Sequence, residues 1–166
     1  MKNAFNYFIY ETEYGNILVE SDGSAITKLK TTGKIKPTDI KPIGEKRATA
    51  LTDKAALQLR EYFIGKRREF DLPLKPHGTD FQRSVWNVLC DIPYGETRTY
   101  KQIAETINNP KACRAVGMAN NKNPIWIIIP CHRVIGADGA LTGYGGGLEM
   151  KQRLLEIEKG KDTVTI

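Results

Sequence analysis

The spacing of apolar residues changes along this chain, and each change predicts a different kind of element. Short runs rich in aromatic and β-branched residues, Asn6 to Glu11, Asn16 to Ser21 and Ala25 to Lys30, are separated by Tyr14-Gly15-Asn16 and Ser21-Asp22-Gly23-Ser24. Strand-forming runs joined by such turn residues predict an antiparallel meander. A polar stretch with Gly33, Pro37, Pro42 and Gly44 follows. From Ala48 to Ile64 the spacing turns helical, with Leu51, Ala55, Leu59 and Tyr62 or Phe63 on one side and Gly65 as the stop. This half reads as a sheet with a helix packed on it. Leu72-Pro73-Leu74-Lys75-Pro76-His77-Gly78 is the best linker, because its prolines and glycine oppose regular structure. The expected division is residues 1–77 and 78–166.

Beyond the linker the pattern is mostly helical. Thr79-Asp80-Phe81-Gln82 fits a capping box, and Phe81, Val85, Trp86 and Leu89 form the apolar stripe of a helix running to about Cys90, which ends that stripe. Thr99-Tyr100-Lys101-Gln102 repeats the capping box before Ile103, Ala104 and Ile107. Asn108-Asn109-Pro110 breaks that short helix, and Lys111 to Asn120 resumes with Ala112, Ala115, Val116 and Ala119 on one side. Two short helices around a break, the second basic and rich in small residues, predict a helix-turn-helix. Asn123-Pro124 ends it. Ile125 to Ile129 reads as a buried strand or extended segment leading into Pro130-Cys131-His132-Arg133. The glycine-rich loop Gly143 to Gly147 opens a last helix, Leu148 to Lys159, stopped by Gly160, with a frayed tail from Lys161 to Ile166.

Composition narrows the classes. With 166 residues, 40% hydrophobic and 27% charged, the chain is long enough for a real core and is neither collagen-like, disordered nor a disulfide scaffold. No apolar run approaches the roughly 20 residues of a membrane span. The start, Met1 to Tyr7, is too polar for a secretory signal, so the expected address is cytoplasmic. Cys90, Cys113 and Cys131 have no close paired spacing, which argues for reduced thiols rather than a disulfide framework or a zinc ribbon. The net charge of +6 is unevenly distributed. Between Arg98 and Arg133, Lys101, Lys111, Arg114 and Lys122 face the single acid Glu105, a local basic balance that suits a polyanion.

Cys131-His132 is the first candidate for chemistry. A thiol is a nucleophile only as thiolate, which asks for a neighbouring imidazole, cation or helix N-terminus to lower its pKa. Neighbours in an extended stretch point to opposite sides, so the pair requires a bridging water or a tight turn. A buried cysteine packed as a small hydrophobe beside a capping histidine is the competing reading. Glu158 lies beside the stripe formed by Leu148, Leu154, Leu155 and Ile157; there it either orients His132 as a third member or snorkels to water. Arg114 and Tyr100 are the pointed polar residues of the helix-turn-helix, Arg114 as a phosphate contact or as an insertion into the base stack. The glycine loop lacks the Lys and Ser or Thr of a P-loop, so its N–H groups are either donors to a substrate oxygen or part of a simple turn.

Together, Tyr100-Lys101-Gln102-Ile103-Ala104, Asn109-Pro110-Lys111, Arg114-Ala115-Val116-Gly117, Asn123-Pro124, Ile129-Pro130-Cys131-His132-Arg133-Val134 and Gly143-Tyr144 through Leu148 to Glu158 resemble the methylated-DNA–protein-cysteine methyltransferases, or O6-alkylguanine-DNA alkyltransferases. The similarity covers Phe81 to Glu158; residues before Thr79 match only in general organisation. It implies an α+β fold, an N-terminal ribonuclease-H-like antiparallel sheet with helix followed by a mostly helical, winged-helix-like domain holding the helix-turn-helix and the active site. It further implies DNA repair in which Cys131 irreversibly takes an alkyl group from O6 of a flipped-out guanine, once per molecule. The implied partner is double-stranded DNA carrying O6-alkylguanine, with O4-alkylthymine left open, bound by a monomer without cofactor or membrane.

The same resemblance assigns roles. Glu158 holds His132, which withdraws the Cys131 proton through water. Tyr100 donates toward guanine N3 and crowds the target phosphate, while Arg114 fills the vacated stack. The backbone of Cys131 and Val134 accepts from the guanine amino group, the Gly145 N–H addresses O6, and Asn123 braces the turn into the site. Lys111, Ala115 and Gly117 belong to the DNA face, whose small residues, with Ala112 and Ala119, permit entry into the minor groove; Tyr144 and Trp126 line the pocket. Two positions depart from the family: Trp126 stands where a small residue or proline is usual, and Gly145 replaces a common serine. The zinc site of some relatives cannot be built, since no cysteine precedes Cys90 and His77 is the only histidine in that half. The alternatives are a non-catalytic damage-binding protein, in which the cysteine is commonly replaced by tryptophan, a transcription regulator, for which no dimerisation segment is evident, and a small-molecule thiol hydrolase, which has no use for the basic helices.

Overall fold

The computed structural model describes residues 4–31 and 40–160. Gly33, Pro37 and the expected tail from Lys161 therefore lie outside the described residues. The chain divides into two compact units, the first running to Pro76 and the second starting at His77.

In the first unit the alternating runs form β1 (Asn6–Thr12), β2 (Gly15–Ser21) and β3 (Ile26–Thr31), with a short β4 (Glu45–Lys46). The sheet order is β3-β2-β1-β4. β1 and β2 pair antiparallel from Asn6 with Ser21 to Thr12 with Gly15, β3 continues the meander, and β4 runs parallel to β1. Central β2 buries Ile17, Leu18 and Val19 on both faces. Helix α1 (Ala50–Phe63) starts at Thr49, whose side chain and that of Thr52 form a reciprocal capping box. It buries Ala55, Ala56, Leu59, Tyr62 and Phe63, and the Tyr10 hydroxyl of β1 donates to Thr52 Oγ1 and Asp53 Oδ1 at 2.8 and 2.7 Å.

One linker expectation needs correction. Ile26 N–H donates to Pro73 O and Lys75 N–H to Ile26 O, both at 2.8 Å, and Leu74 bridges Ile26 in parallel. A proline lacks the N–H but keeps its carbonyl, so an extended Pro-containing segment can line a sheet edge.

The second unit contains α2 (Asp80–Cys90), β5 (Arg98–Thr99), α3 (Tyr100–Thr106), α4 (Cys113–Asn121), a 3-10 turn at Cys131–Arg133, β6 (Val134–Ile135) and α5 (Leu148–Glu158). Thr79 with Gln82 and Thr99 with Gln102 form the expected capping boxes. α2 and α3 both pack on α4, and the Trp86 indole N–H donates to Ala119 O at 2.9 Å. The break between α3 and α4 runs from Ile107 to Ala112, longer than Asn108 to Pro110, with Asn108 at φ 58°; asparagine tolerates that left-handed conformation. β5 and β6 pair in parallel.

Three other expectations fail here. Ile125 to Ile129 is not a strand but a tight buried turn: Ile128 N–H donates to Trp126 O and Ile129 N–H to Ile125 O, with Ile127 at φ 72°. Leu148, expected on the apolar side of α5, is exposed because the first turn lies at the loop end, and Lys151 takes a buried place instead. Cys90 does not close the stripe of α2; it is exposed.

Candidate active site

Pro130 leads into the 3-10 turn, closed by Arg133 N–H donating to Pro130 O at 3.0 Å. The turn brings consecutive side chains into a common buried region, as an extended segment could not. His132 is wholly buried and its Nε2 lies 2.8 Å from Glu158 Oε1. Arg133 clamps the same carboxylate, Nε at 2.9 Å from Oε2 and Nη2 at 2.8 Å from Oε1, while Nη1 donates to Ile92 O at 2.7 Å. Its guanidinium also stands 5.8 Å from the centre of the Tyr94 ring. Glu158 therefore does not snorkel to the rim.

Burial alone would raise the Glu158 carboxyl, but hydrogen bonding and charge from His132 and Arg133 outweigh it and hold the group at about 2. Burial pushes the His132 imidazole below its ordinary range, against the pull of Glu158. A neutral imidazole facing a carboxylate carries its proton on the facing nitrogen, which makes Nδ1 the basic one.

Cys131 is only 3% exposed, and burial pushes its thiol up to about 11, against the pull of the Asn123 side chain and the Lys151 charge. This is the opposite of the lowered value expected for a reactive thiol. Desolvation wins instead, so the resting Cys131 side chain is a protonated thiol, which would have to lose its proton to act as a nucleophile.

The surrounding backbone is held by side chains. Asn123 Nδ2 donates to Ile129 O at 2.8 Å and its Oδ1 accepts from Ile125 N–H at 2.9 Å, clamping both ends of the strained turn. Asn120 Nδ2 donates to Cys131 O at 3.3 Å. Lys151, fully buried, donates from Nζ to Val134 O at 2.5 Å and Thr142 O at 2.8 Å. The Tyr100 hydroxyl donates to the same Thr142 carbonyl at 3.1 Å. Tyr144 is buried, its phenol pushed well up by desolvation and by the Cys131 charge, and its ring lies 5.8 Å from that of Trp126.

Cys131, His132, Glu158, Val134, Asn123 and Tyr100 thus belong to one connected neighbourhood, and Trp126, Tyr144 and Gly145 to its loop wall. Arg114 and Ala115 lie instead on the exposed face of α4, and Lys111 is exposed in the break just before it, with Gly117 half-buried behind the Tyr100 ring, whose Cε1 a Cβ at Gly117 would meet at 3.8 Å. The residues missed by the sequence argument are Arg133, Asn120 and Lys151. Lys151 had a signal: with Leu154, Leu155 and Glu158 it follows the spacing of one buried helix face. Among the described residues no group of three or more His, Cys, Asp or Glu could hold a metal, and no helix is long and apolar enough to cross a membrane.

Comparison with known proteins places the chain by sequence and by fold. Residues 80–160 match the family model of the 6-O-methylguanine DNA methyltransferase DNA binding domain, and residues 6–76 that of its ribonuclease-like domain. The methylated-DNA–protein-cysteine methyltransferase of Methanosarcina acetivorans is 50% identical over 92% of this chain and 97% of its own length. That of Methanosarcina barkeri is 67% identical over 63% of this chain, a match spanning 66% of that relative. The crystal structure of Mycobacterium tuberculosis OGT in complex with DNA superposes with a TM-score of 0.85 at 45% identity, covering 96% of both chains. The chain therefore belongs to the methylated-DNA–protein-cysteine methyltransferase family.

Proposed function

We propose that this protein repairs alkylated duplex DNA by moving the alkyl group from guanine O6 to Cys131, once per molecule. The observation that carries the reading is the buried set in which Arg133 and Glu158 hold His132 next to a buried thiol. Water passes the thiol proton to His132 Nδ1, and Glu158 stabilises the imidazolium that results. The sulfur attacks the alkyl carbon in line, the S–C bond forms, and the C–O6 bond breaks with its electron pair going to guanine. The Tyr100 hydroxyl, now donating to Thr142 O, turns to N3 and supplies the proton the departing base needs. The Gly145 N–H supports O6. The Val134 carbonyl keeps a second lone pair beside its bond from Lys151, enough to accept the guanine amino group with Cys131 O. A thioether is a poor leaving group, so the thiol does not return.

DNA is held by the exposed face of α4 and the turn before it, where Lys111 and Arg114 meet phosphates and Arg114 replaces the extruded base. The reading carries with it a monomer working in the cytoplasm, needing no cofactor. The test incubates a small amount of protein with excess duplex containing O6-methylguanine and counts restored guanines. One per protein molecule is expected; repeated turnover contradicts the self-inactivating step, and tight binding without restoration replaces the reading with damage sensing.

A further inference from the structure

The glycines of the loop before α5 are not equivalent. Gly143 and Gly147 have φ of 53° and 93°, so their backbone conformation itself calls for glycine. Gly145 is not among the residues with positive φ, and its dihedral angle leaves room for an ordinary side chain. What excludes one is Trp126. A Cβ at Gly145 would lie 2.8 Å from Trp126 Cζ2 and 3.5 Å from Cε2 and Cη2, and one at Gly146 would lie 3.3 Å from Cζ3 and 2.8 Å from Tyr144 Cε1. These are contacts with rigid rings in a packed region, since Trp126 is 4% exposed and stacks obliquely on Tyr144.

The indole is itself fixed from below. Trp126 precedes Ile127, a β-branched residue at φ 72°, a strained conformation that surrounding structure must enforce. Asn123 enforces it by bonding both ends of the turn. A rigid line therefore runs from the end of α4 through Asn123 and Trp126 to the backbone of Gly145 and Gly146. Trp126 and Gly145 are one structural unit: the tryptophan fills the space that a side chain at 145 would need.

The geometry points to Trp126 as a positioning residue, interlocked with Gly145, that sets the placement of the Gly145 N–H toward the substrate oxygen. This rests on the alkyl-transfer reading and adds to it a residue that never touches the reacting atoms. Its predicted signature is reciprocity, since a side chain at 145 harms the protein only while the indole is present.

The test is a cycle of Gly145→Ala, Trp126→Ala and the double variant, in the full chain. Transfer from an O6-methylguanine duplex is followed with protein in excess, separating the rate constant at saturation from the half-saturating concentration. Gly145→Ala should slow the saturated rate by about tenfold or more, because a displacement of a fraction of an ångström at the reacting centre is costly. The half-saturating concentration should stay within about threefold, since the exposed face of α4 is untouched. In the Trp126→Ala background the same alanine should change the rate by less than about twofold, the non-additivity expected of touching residues. Acrylamide quenching of Trp126 gives a readout independent of transfer, because the chain has only two tryptophans and Trp86 is 2% exposed; Gly145→Ala should raise it. Should Trp126→Ala fail to fold, Trp126→Phe serves as the background and must also soften the alanine penalty. An unaffected rate and quenching in Gly145→Ala, or the same penalty in both backgrounds, overturns the interlock. Absence of transfer in the unaltered protein overturns the functional reading instead, while quenching still decides the interlock.

Discussion

Both units bury charged side chains, but they use them differently. In the first unit Asp22 accepts from Ser24 N–H and Ala25 N–H, each at 2.9 Å, and Glu20 accepts from Thr27 Oγ1 and from Ile43 N–H, each at 2.8 Å. Asp22 closes its own turn, and Glu20 ties the neighbouring strand to the backbone at Ile43; both fasten the framework. In the second unit His132 and Arg133 of the 3-10 turn meet Lys151 and Glu158 of α5, and the two elements converge around one thiol. A buried charge alone therefore says little about function; buried charges converging on a nucleophile do.

The largest expected effect is at the point of convergence. Glu158→Gln leaves Arg133 buried without its carboxylate, and should cost about 3–5 kcal/mol, read as a lower midpoint in urea at unchanged slope. It should also abolish most alkyl transfer, since His132 loses its orienting partner. A fully active Glu158→Gln protein would break the comparison.

Acid should act next. The Glu158 carboxyl sits at about 2 in the fold against an ordinary 4.5, so its ionised form stabilises the native state. That contribution is complete above pH 4.5 and is lost as pH falls toward 2, about 3 kcal/mol in all. His132 works in the same direction, because its folded pKa lies below the ordinary 6.5 and protonation favours the unfolded chain once pH drops below that value. Asp22 is likewise held below the usual carboxylate range: burial opposes this, but hydrogen bonds from Ser24, Ala25 and Lys75 prevail. Urea titrations should thus show stability falling with acid in the parent protein and falling less in Glu158→Gln. Equal slopes would remove the second unit's share.

A smaller effect sharpens the contrast. Asp22→Ala and Lys151→Met each remove two or more buried hydrogen bonds and should each cost about 1–3 kcal/mol. Only Lys151→Met should slow transfer per folded molecule, because it releases the Val134 and Thr142 carbonyls and removes a positive charge near the Cys131 thiolate. Slowed transfer in Asp22→Ala would show that the two kinds of buried charge are not separable.

Much of the framework is legible in the sequence because its signals are local. Turn residues at Gly15 and Gly23 punctuate the meander, and Thr79 with Gln82 and Thr99 with Gln102 mark helix starts by side-chain bonds three residues apart. The run Ile125 to Ile129 was misleading for a physical reason: a short apolar run has no periodicity, so a buried strand and a buried turn look alike. What separates them is the clamp from Asn123, which is tertiary in effect although close in sequence. Cys131, His132 and Glu158 were legible through their company in a motif, whereas the elevated thiol pKa depends on burial that no spacing reveals. Arg133 and Lys151 were hidden because cations read as surface residues until a fold supplies a buried carboxylate or a pair of carbonyls. The match between Trp126 and Gly145 joins positions far apart in the chain and needs coordinates.

The most direct test of the central claim is intact-mass and peptide mapping after incubation with a duplex carrying one O6-methylguanine, with Cys131→Ser beside it. The account predicts that one methyl group replaces the thiol proton of Cys131, at one per molecule, and that Cys131→Ser gains nothing. A methyl group found on Cys90 or Cys113, or a bound lesion with no gain of mass, would contradict it.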